Sequence, residues 1–125
     1  MRNTSFELIG RGRFADAEKL LDLAEKDYPR GLVQRVAAVQ RGLIAMRRGK
    51  IDEALAALDR GIEGKVSLLH RAQAQIQATN ARGIRAFLRA SIGDRKGARA
   101  DIEAVRGSPD ALPQALARAA LAEAI

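Results

Sequence analysis

The sequence contains no cysteine, no tryptophan and no long apolar run. Without cysteine, the chain can form neither disulfides nor cysteine-based metal sites. No stretch approaches the roughly 18 consecutive apolar residues that a membrane-spanning helix needs, and the first residues lack the apolar segment of a secretory signal. These features predict a cytoplasmic protein with no membrane partner.

Aromatic residues are also scarce, at 3% of the chain, whereas 22 Lys and Arg stand against 15 Asp and Glu. Proteins that stack nucleic-acid bases need exposed aromatic side chains, so nucleic-acid binding is the less favoured interpretation of the net charge of +7. A positive surface also attracts acidic protein partners. The abundant alanine, leucine, arginine and glutamate favour helices, and no segment alternates as a strand would. We therefore expect an all-α fold.

Apolar residues recur at helical spacing between regularly placed glycines. The spacing predicts helices over 4–9, 14–26, 32–47, 51–62, 66–92, 96–105 and 111–124. Asn80 and Gly83 are candidate breaks in the long fifth segment. Ser108 and Pro109 are predicted to start the last helix, because serine caps free N–H groups and proline in the first turn loses no hydrogen bond.

Three segments share one internal pattern, in which a glycine is followed five residues later by a small residue and four residues after that by a large apolar one. They are Gly12/Ala17/Leu21, Gly49/Ala54/Leu58 and Gly93/Ala98/Ile102. Glycine permits a tight turn between two helices, the alanine lets the paired helix approach closely, and the larger residue fills the space between pairs. The pattern predicts stacked helix pairs.

These segments resemble the second helices of tetratricopeptide repeats, each preceded by the glycine between the helices of a pair. The first segment also matches through Phe14, Ala24 and Pro29, while the third departs at Arg95, where an apolar residue is usual. The resemblance implies a right-handed stack of antiparallel helix pairs in a single domain, 1–125. Its implied repeat units are 1–29, 30–64 and 65–107, followed by a capping helix at 108–125.

In that family the first helices of the pairs line a groove that binds other proteins. The residues implied for the groove are Val36, Val39, Gln40, Leu43, Met46 and Arg47 in the second unit and Asn80, Ile84 and Phe87 in the third, with Arg82, Arg85 and Arg89 at its rim. Such a groove suits an amphipathic or extended apolar segment with acidic edges. Two alternatives stay open: the apolar stripe is core, and the arginines are an ordinary solvated face. Arg41, Arg85 and Arg89 fall at positions where the family tends to bury apolar or aromatic groups.

Nothing in the sequence marks a catalytic site, a metal site or a cofactor site. His70 is the only histidine, and Gly10–Ala15 resembles a dinucleotide-binding fingerprint without the strands that this motif requires. We therefore expect a protein–protein interaction module, either an adaptor, a scaffold or a small chaperone, and no enzyme. Self-association into a homo-oligomer stays open, and nucleic-acid binding through the arginine-rich helices is the alternative function.

Overall fold

The fold was described from a computed structural model, which covers residues 4–28, 31–63, 66 and 68–125. It contains seven α-helices: α1 (Thr4–Gly10), α2 (Phe14–Asp27), α3 (Leu32–Arg47), α4 (Ile51–Ile62), α5 (Arg71–Ser91), α6 (Arg95–Arg106) and α7 (Pro113–Ala124). A short 3-10 turn, Leu68–His70, precedes α5. No strand occurs in these ranges, which confirms the all-α class.

The long fifth helix is continuous through Asn80 and Gly83, so the predicted break there is wrong. Gly83 serves a close contact instead, because a Cβ atom at this position would lie 3.0 Å from the carbonyl oxygen of Ala115 in α7. Its lack of a side chain lets α5 and α7 pack backbone against backbone. The predicted start at 66 is also too early, since α5 begins at Arg71.

The last helix begins at Pro113, two residues after its predicted start. Pro113 takes the first helical position, where a missing N–H costs nothing, and the residue before a proline is forced out of the helical region. Leu112 accordingly has an extended backbone, with φ of −71° and ψ of 151°. Pro109 therefore lies in the connection between α6 and α7, and not in the first turn of a helix.

The turns within the three helix pairs share one geometry. Gly12, Gly49 and Gly93 have φ angles of +76°, +76° and +87°. In each turn the glycine N–H donates to the carbonyl three residues back, and the next N–H donates to the carbonyl five residues back from itself. This is the Schellman arrangement, which satisfies the carbonyl groups left free at a helix end. One turn structure thus recurs at the three glycines that the sequence pattern singled out.

The helices pack against their neighbours in the chain, and the odd-numbered helices also contact one another in the order α1, α3, α5, α7. Helices α3 and α4 are antiparallel: a Cβ atom at Gly42 would meet Leu58, while one at Gly61 would meet Val39. One apolar cluster joins α1 to α5, and a second, alanine-rich cluster joins α5, α6 and α7. Helix α5 lies between the two clusters and contributes to both.

Candidate interaction surface

The residues predicted for the groove floor lie largely in the core. Leu43 is 5% exposed and Ile84 0%, and Val39 is equally buried. Gln40 is buried as well, and its side-chain oxygen accepts a hydrogen bond from the hydroxyl of Ser5 in α1. The chain's own helices therefore fill the space that a bound segment would need. These four side chains lie in the core, which was one of the two alternatives left open by the sequence.

Four other predicted floor residues lie at the edge of that core. Val36, Asn80 and Phe87 are half-buried, and Met46 packs against the core from outside. The side-chain oxygen of Asn80 accepts a long hydrogen bond from Arg118 Nη1, at 3.5 Å. These side chains reach solvent only in part and leave no continuous apolar floor.

Arg47, the remaining residue of the predicted groove in α3, contacts α1 and α2 of its own chain. Its Nη1 donates to the carbonyl oxygen of Ile9 at 2.7 Å. Its guanidinium also lies 5.4 Å from the centre of the Phe14 ring, and that of Arg48 lies 5.3 Å from the same centre. Such contacts between a cation and an aromatic face are attractive. Arg47 therefore fixes the first helix pair onto α3.

The predicted rim arginines lie on a different face of α5 from the predicted floor. Because an α-helix turns about 100° per residue, Arg82, Arg85 and Arg89 share one face, and Asn80 and Phe87 lie roughly opposite. The structure does not bring these two groups together into one groove.

Arg85 instead joins two second helices. Its Nε and Nη2 donate to Asp101 of α6 at 2.9 and 2.7 Å, and its Nη1 donates to Asp59 of α4 at 2.9 Å. Arg89 donates to the same Asp101 at 3.0 Å. The Asp101 side chain is 4% exposed, so it is a buried carboxylate held by two guanidinium groups. The hydrogen bonds to Asp101 raise the pKa of Arg85 against the opposing effect of burial.

Arg41 of α3 also binds the preceding second helix, one helix pair earlier. It donates to Asp22 at 2.6 Å and to Glu25 at 2.8 Å, both in α2. Burial alone would lower the pKa of Arg41, but these two hydrogen bonds outweigh it and raise the pKa. Two of the positions where the resemblance implies apolar groups thus hold arginines that are paired with acids of the preceding second helix.

One side of α7 carries several exposed apolar side chains, at a place that the sequence analysis did not single out. Ala115, Ala119 and Ala122 are buried against α5 and α6. The side facing away carries Leu116 and Leu121, which are 45% and 55% exposed. We call this side the α7 outer face; its members are Leu116, Ala117, Ala120, Leu121 and Ala124, all of them exposed.

Comparison with α5 shows why this face is unusual. Helix α5 buries one face in the first cluster, through Ile84 and Leu88, and another in the second cluster, through Ala86 and Ala90. Helix α7 also has two apolar faces, but the described residues cover only one of them. A helix that is apolar all round is normally buried.

The sequence contained a signal for this surface. From Pro113 to Ile125 only three residues are polar or charged, namely Gln114, Arg118 and Glu123. The resemblance implied a capping helix at 108–125, and for such a helix a second apolar face was not expected. The packing of α7 against α5 and α6 decides which of its two apolar faces remains exposed. The sequence pattern does not show that packing.

A cavity of about 680 Å³ adjoins α7 and is bounded by α6 and the end of α5. We call it the α6–α7 groove. Its apolar lining is Ala98, Ile102, Ala122 and the 58% exposed Ile125, and its charged lining is Arg95, Arg99, Glu103, Arg106 and Glu123. Arg106 pairs with Glu123 and lowers the pKa of that carboxyl. Arg95 and Arg99 form no ion pair with the described residues.

Two further cavities, of about 340 and 450 Å³, adjoin each other between α2 and α4. Their charged lining is balanced, with Arg35, Arg41, Arg48 and Arg60 against Glu18, Glu25, Glu53 and Glu63. Arg41 crosses this space to bind α2. The balance of charge gives these cavities no preference for a charged partner.

No arrangement for chemistry was found in the part of the chain that the structure describes. His70 is exposed at the end of the 3-10 turn, and no group of three or more His, Cys, Asp or Glu side chains there could hold a metal ion. No described helix combines the length and apolarity needed to cross a membrane.

Comparisons with known proteins gave no relative to guide the assignment. The chain matches no protein-family model, and searches of curated proteins and of solved structures found no significant match.

Proposed function

We propose that this chain is a protein–protein interaction module that binds its partner through the α7 outer face. The observation that carries the proposal is the exposure of Leu116 and Leu121 on a helix whose other face is fully buried. Contiguous exposed apolar surface on a folded protein marks interaction sites. An adaptor or scaffold role fits such a surface better than any chemistry of the described side chains.

The energetics favour a partner at this face. Burying a fully exposed leucine or isoleucine stabilises an association by roughly 1.5–3 kcal/mol. Leu116 and Leu121 of the α7 outer face, and Ile125 in the adjoining groove, are each about half exposed, so each would contribute about 1 kcal/mol. The alanines between them present little bulk, so a partner's backbone can approach α7 closely.

The resemblance to tetratricopeptide repeats remains part of this proposal. The three equivalent glycine turns and the contacts between alternate helices support it. The groove implied by that family has less support, because Leu43 and Ile84 are core residues.

Nucleic-acid binding, the alternative function, also has less support than protein binding. Phosphate recognition requires free lysine and arginine side chains, whereas four arginines of the α3 and α5 segments, Arg41, Arg48, Arg85 and Arg89, are paired with acids of this chain. Arg95 and Arg99, which form no ion pair with the described residues, lie on α6, outside those arginine-rich helices.

The proposal can be tested with the full chain as bait in an extract of its source cells, followed by calorimetry with the purified captured protein. Leu121→Asp should abolish binding, while Leu69→Asp is the matched control, because Leu69 is 84% exposed and lies outside the α7 outer face. Binding by the wild type and the control should show the negative heat-capacity change of apolar burial.

Equal binding by a folded Leu121→Asp variant would refute the proposal. Binding to nucleic acid that weakens steeply with salt and is unaffected by Leu121→Asp would favour the alternative function.

A further inference from the structure

We infer that the partner segment is an amphipathic α-helix that packs along the α7 outer face and directs an acidic edge toward the α6–α7 groove. This inference rests on the proposed function and adds the chemistry of the partner to it. Three observations carry it: the shape of the α7 outer face, the charge of the groove, and the lack of an acidic edge on the other exposed helix face of this chain.

The shape of the α7 outer face fits a helix. Its residues from Leu116 to Ala124 span about 12 Å of helix axis, which corresponds to a little over two turns of a partner helix. Leucines and alanines alternate along it as ridges and gaps, the surface that helix–helix packing uses. Within this chain, α5 shows the same arrangement with both apolar faces covered by helices.

The charge of the groove selects an acidic edge. Arg95 and Arg99 line the groove and form no ion pair with the described residues, and Lys96 lies beside them on α6. Glu123 pairs with Arg106 and also interacts electrostatically with Arg99. The three arginines of the groove still exceed its two glutamates, Glu103 and Glu123, by one positive charge. An acidic side chain of a partner would find two guanidinium groups there, whereas a lysine would be repelled.

A second copy of this chain has exposed leucines on α7 and on α2, and neither helix supplies a free acidic edge. The only acid of α7, Glu123, already pairs with Arg106. Apart from α7, α2 is the described α-helix with more than one exposed leucine, Leu20 and Leu23. The exposed charged residues on that side are Lys19, Lys26 and Asp27, and the half-buried Asp16 pairs with Arg13. The remaining acids of α2 include Asp22 and Glu25, which already bind Arg41. The charges therefore favour a different protein as the partner.

The test uses two synthetic helical peptides of about 16 residues, long enough for measurable helicity when stapled. They share one leucine stripe and differ only in the edge beside it, which carries glutamates in one and lysines in the other. Fluorescence anisotropy against the full chain should show at least about tenfold tighter binding of the glutamate peptide. The double variant Arg95→Glu/Arg99→Glu should reverse this preference, and Arg71→Glu, an exposed arginine of α5, should leave it unchanged.

The outcomes separate this inference from the proposed function. Equal binding of both peptides, or of neither, overturns the acidic-edge inference, while the effect of Leu121→Asp on the captured protein still decides the proposed function. Sedimentation of the wild type as a dimer that Leu121→Asp converts to a monomer also overturns the inference, because a second copy would then be the occupant.

Discussion

Arg85 of α5 donates to Asp59 of α4 at 2.9 Å, and this contact repeats within the molecule. Arg41 donates to Asp22 in the same way. Each arginine lies eight residues before its turn glycine, and each aspartate lies ten residues after the turn glycine of the preceding pair. The ion pair therefore recurs at the same position relative to the turn glycines, and it ties the first helix of one pair to the second helix of the pair before.

Arg85→Met should destabilise the protein by about 2–3 kcal/mol, since removing one partner of a buried ion pair leaves an uncompensated charge. The buried Asp101 would keep only Arg89, and this remaining pair limits the loss. Urea unfolding followed by circular dichroism measures the change.

The double variant Arg85→Met/Asp101→Leu should recover part of the lost stability, because it also removes the buried Asp101 carboxylate that Arg85 neutralised. Arg106→Met is the surface control. Its pair with Glu123 is exposed on both sides, and exposed pairs contribute little. A loss in Arg85→Met no larger than in Arg106→Met would contradict the buried role of Arg85.

The helices and their turns could be predicted from the sequence because their signals are local. Helices α3 and α4 begin and end at the predicted residues, since apolar spacing and a glycine at the turn lie within one stretch of chain. The ion pairs could not be predicted. Arg41 and Asp22 are 19 residues apart and Arg85 and Asp59 are 26 apart. Their common positions relative to the turn glycines identify them as equivalent residues, but do not show that the arginine and the aspartate contact each other.

The candidate surface was missed for a related reason. Leu43 and Leu121 both belong to apolar helical stripes, yet one is 5% exposed and the other 55%. The difference is set by neighbouring helices: α3 is surrounded by α1, α2, α4 and α5, whereas α7 contacts α5 and α6. Sequence periodicity identifies an apolar face and does not reveal whether another helix covers it.

Gly49→Ala and Gly93→Ala should each destabilise the fold by about 1–2 kcal/mol. Both glycines have positive φ angles, where a Cβ atom is strained. A Cβ atom would meet no neighbour within 4 Å at either position, so the loss of stability would come from backbone strain and not from a steric clash. Gly10→Ala is the matched control, because Gly10 has no positive φ angle and equally open surroundings. Equal thermal stability of all three variants would refute the strained turn.

Gly83→Ala should loosen α7 without unfolding the first two helix pairs. The new Cβ atom would lie 3.0 Å from the carbonyl oxygen and 3.2 Å from the Cα atom of Ala115, and backbone atoms cannot rotate away as a side chain can. We expect a loss of about 1–3 kcal/mol and faster amide hydrogen exchange in α7. Gln75→Ala, at an exposed position of the same helix, should leave exchange unchanged. Unaltered protection of α7 in Gly83→Ala would argue against the close contact.

Glu123 should titrate below its ordinary value of 4.5, because the hydrogen bond from Arg106 stabilises its charged form. A pKa that is lower in the folded state than in the unfolded state contributes stability above the unfolded value. That contribution disappears as the pH falls through the folded value. Because both side chains are exposed, we expect the effect to be visible in the carboxyl titration by NMR and small in overall stability. Arg106→Gln should move the pKa of Glu123 back up. The control Arg71→Gln should leave the pKa of Glu123 unchanged. If the titration of Glu123 is also unchanged in Arg106→Gln, the Arg106–Glu123 pair does not form in solution.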